Sequence, residues 1–232
     1  EIDLRKAVAT GEFELFYQPI VNLKQDRISG FESLIRWNHP TRGRVPPNEF
    51  IPLAEETGLI IPIGEWAIRQ ACREAGNWND ELRVAVNVSP VQFRSKNLVP
   101  TVAAALAETG LAAKRLELEI TEAVLLQNSE ATLSTLHSLR ALGVRISMDD
   151  FGTGYSSLGY LRSFPFDKIK IDQSFIRDLM SDPESIAIIR AVTGLGASFG
   201  IVTTAEGVET QAQLNQMREE GCTEVQIGRA HV

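Results

Sequence analysis

The sequence predicts a TIM-like (β/α)8 barrel whose first strand is antiparallel. Three observations lead there. Short apolar, β-rich runs alternate with longer helical patterns along almost the whole chain, as in a mostly parallel sheet. Eight such runs can be counted, the number that closes a barrel. Only the polar stretch Asn22–Arg27 separates the first two, whereas a parallel pair needs a crossover of a dozen or more residues. Those two therefore form an antiparallel hairpin. By pattern alone an open doubly wound sheet is the alternative.

The predicted strands, in order, are Glu14–Ile20, Ile28–Arg36, Arg83–Val88, Arg115–Ile120, Val144–Met148, Asp167–Ile171, Ile201–Ala205 and a weak Thr223–Gln226. Helical patterns fall between them at Pro47–Thr57, Glu65–Asn79, Leu98–Thr109, Glu130–Leu142, Glu184–Phe199 and Gln211–Glu220. The chain opens in a helical pattern and stops as the eighth strand begins, so the last strand and its helix are expected to be truncated. No Gly/Ser/Pro linker and no internal repeat divides it, which predicts one domain.

A length of 232 residues suits one barrel, and 44% hydrophobic with 23% charged residues suits a soluble domain with a core. The net charge of −7 argues against a nucleic-acid polymer as partner, because phosphate backbones need basic stripes. Cys72 and Cys222 have no CxxC spacing, so neither a disulfide framework nor a thiolate zinc site is expected, and a cytoplasmic location fits. The stretch Ile186 to Ala205 carries Arg190 and several glycines and reads as a core helix and strand; no membrane contact is expected.

The strand ends carry the chemistry. Asn87, Glu119, Asp149, Asp150, Lys170 and Glu206 close successive predicted strands, and Glu32 sits inside the second. In a barrel these ends converge on one mouth, where active sites are built. Side chains alternate faces along a strand, so Glu117 shares a face with Glu119, Ser147 with Asp149, and Lys168 with Lys170. Charges on one face of otherwise apolar strands must be paired or metal-bound. Any one of these acids could instead cap a helix. Capping does not require an Asp-Asp pair, a neighbouring Asn and a nearby lysine together. Glu117 and Arg145 read as a structural pair lower in the barrel.

Carboxylates and an amide without His or Cys form a hard oxygen site, suited to Mg²⁺ or Mn²⁺. Adjacent aspartates let one carboxylate bridge two ions, which at about 4 Å apart would clamp a phosphoryl displacement. The glycines and hydroxyls of FGTGYSSLGYL, after Asp150, predict a lid that positions the aspartates.

These segments resemble the EAL family. FESLIRW resembles its signature with Ser33 in place of the usual alanine, and YQPIV, NVSPVQF, ELEITE, DDFGTGYSSLGYL, KIKID and AEGVE match in order, from about Glu12 to Gln226. The resemblance implies a metal-dependent phosphodiesterase that converts cyclic di-GMP to linear pGpG, on a barrel with a reversed first strand. It implies that Glu32, Asn87, Glu119 and Asp149 hold one metal ion, and that Asp149, Asp150 and Glu206 hold or flank a second. Lys170 would position or activate the attacking water, with help from Glu206. Arg36 would contact a ligand phosphate, and Gln18 and Gln226 the ligand itself. Glu122 and Glu209 would anchor the loop after Asp150, near which members commonly form homodimers. Ser33 faces away from Glu32 by parity and should matter little. A catalytically inactive cyclic di-GMP receptor is the competing reading. Residues 227–232, IGRAHV, resemble a translated sequencing adapter, so 1–226 is expected to be the domain, incomplete at its C-terminus, and 227–232 a non-native tail.

Overall fold

The computed structural model describes residues 1–126, 130–152, 164–179 and 182–228. One sheet closes on itself. Its strands are β1 (Phe13–Asn22), β2 (Arg27–His39), β3 (Gly43–Val45), β4 (Arg83–Asn87), β5 (Leu116–Thr121), β6 (Arg145–Phe151), β7 (Lys168–Ile171), β8 (Val202–Val208) and β9 (Glu224–Ile227). The order is β1-β9-β8-β7-β6-β5-β4-β2-β3, and β1 also pairs with β2, which closes an eight-strand barrel with β3 appended outside the ring. All eight predicted strands are present.

β1 is antiparallel to both of its neighbours, β2 and β9, as the short connection required. The turn is set locally: Asn22 Oδ1 accepts from the backbone N–H groups of Lys24 and Gln25, and Asp26 takes φ 50°. The remaining ring neighbours, from β2–β4 to β8–β9, run parallel. The eighth strand is only four residues long, yet it pairs on both sides, Ile20 with Gln226 and Ala205 with Val225.

Helices α1 (Ile2–Thr10), α2 (Pro47–Glu56), α3 (Ile60–Ala75), α4 (Pro90–Arg94), α5 (Leu98–Thr109), α6 (Glu122–Leu126), α7 (Glu130–Ala141), α8 (Gln173–Arg177), α9 (Pro183–Phe199) and α10 (Gln211–Glu219) connect the strands. The third begins five residues before the predicted Glu65, because Ile60 and Ile63 continue the apolar stripe of Ala67, Ile68, Ala71, Cys72 and Ala75. It ends at Ala75, four residues short of the predicted Asn79.

The apolar core lies between strands and helices. Val84, Val86, Leu116, Leu118, Ile146, Met148, Ile169 and Ile171 point outward from the strands into the helical layer. Each large aliphatic side chain buried there stabilises the fold by roughly 1.5–3 kcal/mol. The opposite faces of the same strands fill the barrel interior, and there the residues are polar: Glu117, Glu119, Ser147, Asp149, Lys168, Lys170 and Glu224 are all buried. Strand alternation thus sends the oil outward and the charge inward.

Candidate active site

The interior charge is arranged in two layers. In the lower one Lys168 Nζ lies 2.7 Å from Glu117 Oε1 and 3.0 Å from Glu224 Oε2. Arg83 bonds Glu224 at 2.6 Å, Arg145 bonds Glu117 at 3.3 Å, and Ser29 donates to Glu224 at 2.8 Å. Burial alone would raise the Glu224 carboxyl, but Lys168 and Arg83 bring it down to about 2. Both acids have cationic partners, so this layer is electrostatically closed. The predicted Glu117–Arg145 contact belongs to it, together with Arg83 and Glu224, which the strand-end pattern had not singled out.

The upper layer is not closed. Lys170 Nζ stands among Glu206 at 2.6 Å, Glu119 at 3.0 Å, Asp149 at 3.2 Å and Glu32 at 3.3 Å. These acids come from β2, β5, β6 and β8, so the parallel register gathers residues spread from 32 to 206 at one mouth. Asn87 at the end of β4 donates to Glu32 Oε1 at 2.7 Å, and Gln226 of β9 donates to Glu32 Oε2 at 2.6 Å. Asp150 completes the group: one carboxylate oxygen from each of Asp149, Asp150 and Glu206 lies within 4.8 Å of the others.

Five carboxylates thus meet one ammonium. Desolvation opposes charge on Lys170, but Glu119, Glu32, Asp149 and Glu206 outweigh it and raise its pKa well above the ordinary lysine value. Burial also raises Glu32, yet Lys170 and the amides of Gln226 and Asn87 hold it below its ordinary value. The remaining acids bear the surplus. Burial and the neighbouring Glu32 raise Glu119 well above its ordinary value. Burial and Asp149 lift Asp150 to about 6, and burial lifts Glu206 to about 8 against the pull of Lys170. Glu119 Oε1, fully buried, has no hydrogen-bond partner among the described residues.

Asp150 holds φ 54°, a left-handed conformation uncommon outside glycine. Its N–H donates back to Asp149 Oδ1 at 3.0 Å. The backbone therefore turns sharply at the strand end, and both aspartates serve one cluster although successive strand residues should face opposite ways.

The other predicted residues are distributed around this centre. Gln18 pairs in register with Glu32 and donates to the Ile227 carbonyl at 2.7 Å, tying β1 to the last strand. Arg36 lies further along β2; its Nη1 donates to the Ile35 carbonyl at 2.8 Å. Ser33 is buried and faces out of the barrel, donating to the Ala85 carbonyl at 2.8 Å, as parity required. Glu122 is buried at the start of α6, and Glu209 is exposed just after β8. The segment they were expected to anchor, and the predicted lid beyond Gly152, lie outside the described residues, as do residues 229–232 of the tail.

Sequence reasoning did not find a cavity of about 280 Å³ beside the mouth, lined by Ile35, Ile51, Ile63, Val88, Asn87 and Glu119 among others. It joins apolar helix side chains to two of the polar strand-end groups, the make-up expected of a ligand pocket. The signal was weak because its walls come from the ordinary apolar stripes of α2 and α3.

This is a β/α barrel with an acid-rich mouth organised around a buried lysine, an oxygen donor set suited to divalent cations. The chain belongs to the EAL domain family, whose family model matches residues 1–227. An uncharacterized protein of Sinorhizobium fredii, y4lL, is 57% identical over 226 residues, 97% of this chain and 27% of that protein. The bifunctional diguanylate cyclase/cyclic di-GMP phosphodiesterase MucR of Pseudomonas aeruginosa is 43% identical over 228 residues, 97% of this chain and 33% of MucR. The chain therefore spans about a third or less of the length of these relatives. Among solved structures, the PaMucR phosphodiesterase–c-di-GMP complex is 42% identical and superposes with a TM-score of 0.93, covering 97% of this chain and 93% of that one. The FimX EAL domain from Pseudomonas aeruginosa bound to c-di-GMP is 25% identical with a TM-score of 0.90, covering 97% and 92%.

Proposed function

We propose that this domain is a divalent-cation-dependent phosphodiesterase that hydrolyses cyclic di-GMP to linear 5'-pGpG. The observation that carries the reading is the convergence of Glu32, Asn87, Glu119, Asp149, Asp150 and Glu206 around Lys170 at one barrel mouth. The family and its cyclic di-GMP-bound relatives support the choice of substrate.

The donor set fits hard divalent cations. It is all oxygen, it exceeds its one cationic partner by four charges when fully ionised, and it keeps a buried carboxylate oxygen unpartnered. Glu32, Asn87, Glu119 and Asp149 would hold one ion, and Asp149, Asp150 and Glu206 the second, either Mg²⁺ or Mn²⁺. Such ions neutralise charge on a phosphodiester and acidify water. Lys170, held cationic by its carboxylates, orients the attacking water or a phosphate oxygen and does not take its proton. Glu206, 2.6 Å from Lys170 Nζ, helps to orient and deprotonate that water. Arg36 meets a ligand phosphate, while Gln18 and Gln226 bound the ligand and hold the closing strand.

The test is incubation of cyclic di-GMP with the protein and Mg²⁺ or Mn²⁺, followed by chromatography. Conversion to pGpG is expected. Ligand that binds but stays intact would instead make the domain a receptor. The family resemblance also leads us to infer a homodimer in the cytoplasm, which light scattering and fractionation would check; among the described residues no helix is long and apolar enough to cross a membrane.

A further inference from the structure

We propose that Arg44, seated on the Phe16 ring, binds the phosphodiester of the cyclic dinucleotide that is not being cleaved. The inference rests on the substrate reading above but not on turnover. None of the motifs that mark the family in this chain contains Arg44.

The register places it. β2 pairs with β4 only from Gly30 to Ser33, so Leu34 onward stands above the ring as part of the β1–β2 hairpin. In that hairpin Gln18, Phe16 and Glu14 lie opposite Glu32, Leu34 and Arg36, on the face that continues upward from the acid cluster. β3 adds to the hairpin with Arg44 opposite Asn38, two residues beyond Arg36 and on the same face. At about 3.3 Å per residue, Phe16 stands roughly 7 Å above Glu32 along the hairpin.

Phe16 is a large apolar residue left 39% exposed there. The Arg44 guanidinium carbon sits 4.7 Å from the ring centroid, and that of Arg36 sits 5.5 Å away. One ring thus carries two guanidinium groups, which a cation–π contact orients without consuming their N–H donors. Arg44 keeps those donors available. Its nearest carboxylate oxygen, Glu14 Oε1, is 3.6 Å away, and among the described residues its guanidinium makes no hydrogen bond. The neighbouring Arg42 is spent differently, donating to Glu49 at 2.9 Å, as are Arg27, Arg190 and Arg218, each of which donates to a carboxylate at 2.6–2.9 Å.

Electrostatics names the occupant. The floor of the mouth is acidic and suited to cations, so a dianionic ligand seated there presents its second phosphate away from the floor, toward the hairpin. A planar guanidinium with free donors matches the two non-bridging oxygens of a phosphodiester. A protein of net charge −7 otherwise repels such a ligand.

Titration calorimetry with cyclic di-GMP in EDTA measures binding without turnover, and steady-state kinetics with Mg²⁺ measures KM and kcat. Arg44→Ala should raise Kd and KM roughly tenfold, the loss of a charge-assisted hydrogen bond, and leave kcat within about twofold. Arg44→Lys should recover part of the loss, and Arg42→Ala, the same charge change two residues away, should bind as wild type. Wild-type Kd for Arg44→Ala would overturn the proposal, as would an equal loss in Arg42→Ala. Binding without turnover in the wild type would defeat the catalytic reading and leave this inference to the titrations. Absence of binding by the wild type in EDTA together with absence of turnover in Mg²⁺ would end both.

Discussion

Lys170 Nζ lies 2.6 Å from Glu206 Oε1, the shortest of its four carboxylate contacts, yet burial keeps the Glu206 carboxyl up at about 8. One ammonium does not neutralise the cluster. Glu206 and Asp150, the latter at about 6, hold protons more tightly in the fold than at their ordinary values of 4.5 and 3.8. The folded state therefore binds more protons than the unfolded one across this window, and stability falls as pH rises from about 4 to 8. In EDTA the melting temperature should decline over that range, and Mg²⁺ should flatten the decline by replacing the protons. Glu206→Gln should remove most of the decline above about pH 6 without metal, leaving the part that belongs to Asp150. Differential scanning fluorimetry measures all three, and a melting temperature in EDTA that climbs toward pH 8 would contradict the charge surplus.

The lower layer predicts the opposite sign. Glu224 at about 2 lies below its ordinary 4.5, so its contribution is present above about 4.5 and is lost as pH falls toward 2. Lys168→Met removes the cation that Glu117 and Glu224 share and should cost about 3–5 kcal/mol. Urea unfolding near neutral pH checks this. A loss below about 1 kcal/mol would mean that Arg83 and Arg145 alone satisfy both acids.

Glu32→Ala should abolish metal-dependent turnover while the fold persists. Glu32 accepts from Asn87, Gln226 and Lys170, so its loss frees three donors from three strands at the mouth. Circular dichroism and an activity assay in parallel test it, and wild-type rates would refute the site.

Ser33→Ala should leave the rate unchanged and shift stability by no more than about 1 kcal/mol. The Ser33 hydroxyl donates to the Ala85 carbonyl behind the barrel wall and touches none of the acids. A rate loss of tenfold or more would show that the wall behind Glu32 positions it.

The eight strands were legible in the sequence because each is a short β-rich run bounded by polar turns or helix starts. The mouth was legible because Asn87, Glu119, Asp149, Lys170 and Glu206 sit where such runs stop. The antiparallel start followed from the short connection between the first two strands alone. β3 was hidden: three residues, Gly43–Val45, carry no pattern, and only pairing with Trp37–His39 makes them a strand. The short helices α4 and α8 were missed for a similar reason; each is five residues long, with caps from Ser89 and Asp172 that look like ordinary loop residues. Glu224 was missed because its strand is weak in sequence, and its role depends on Lys168 and Arg83, more than fifty residues away. The left-handed turn at Asp150 had no signal, since Asp-Asp leaves the backbone angle unstated.

The seam between β1 and β9 brings residues some two hundred positions apart into register, Ile20 beside Gln226. Contacts of such long separation carry the largest loop-closure entropy and form late in folding. A polypeptide emerging from the ribosome can hold Glu32 and Asn87 side by side long before Gln226 exists. The third donor to that carboxylate arrives only with the last strand of the cylinder. The mouth is therefore complete only once the last strand has zipped the cylinder shut.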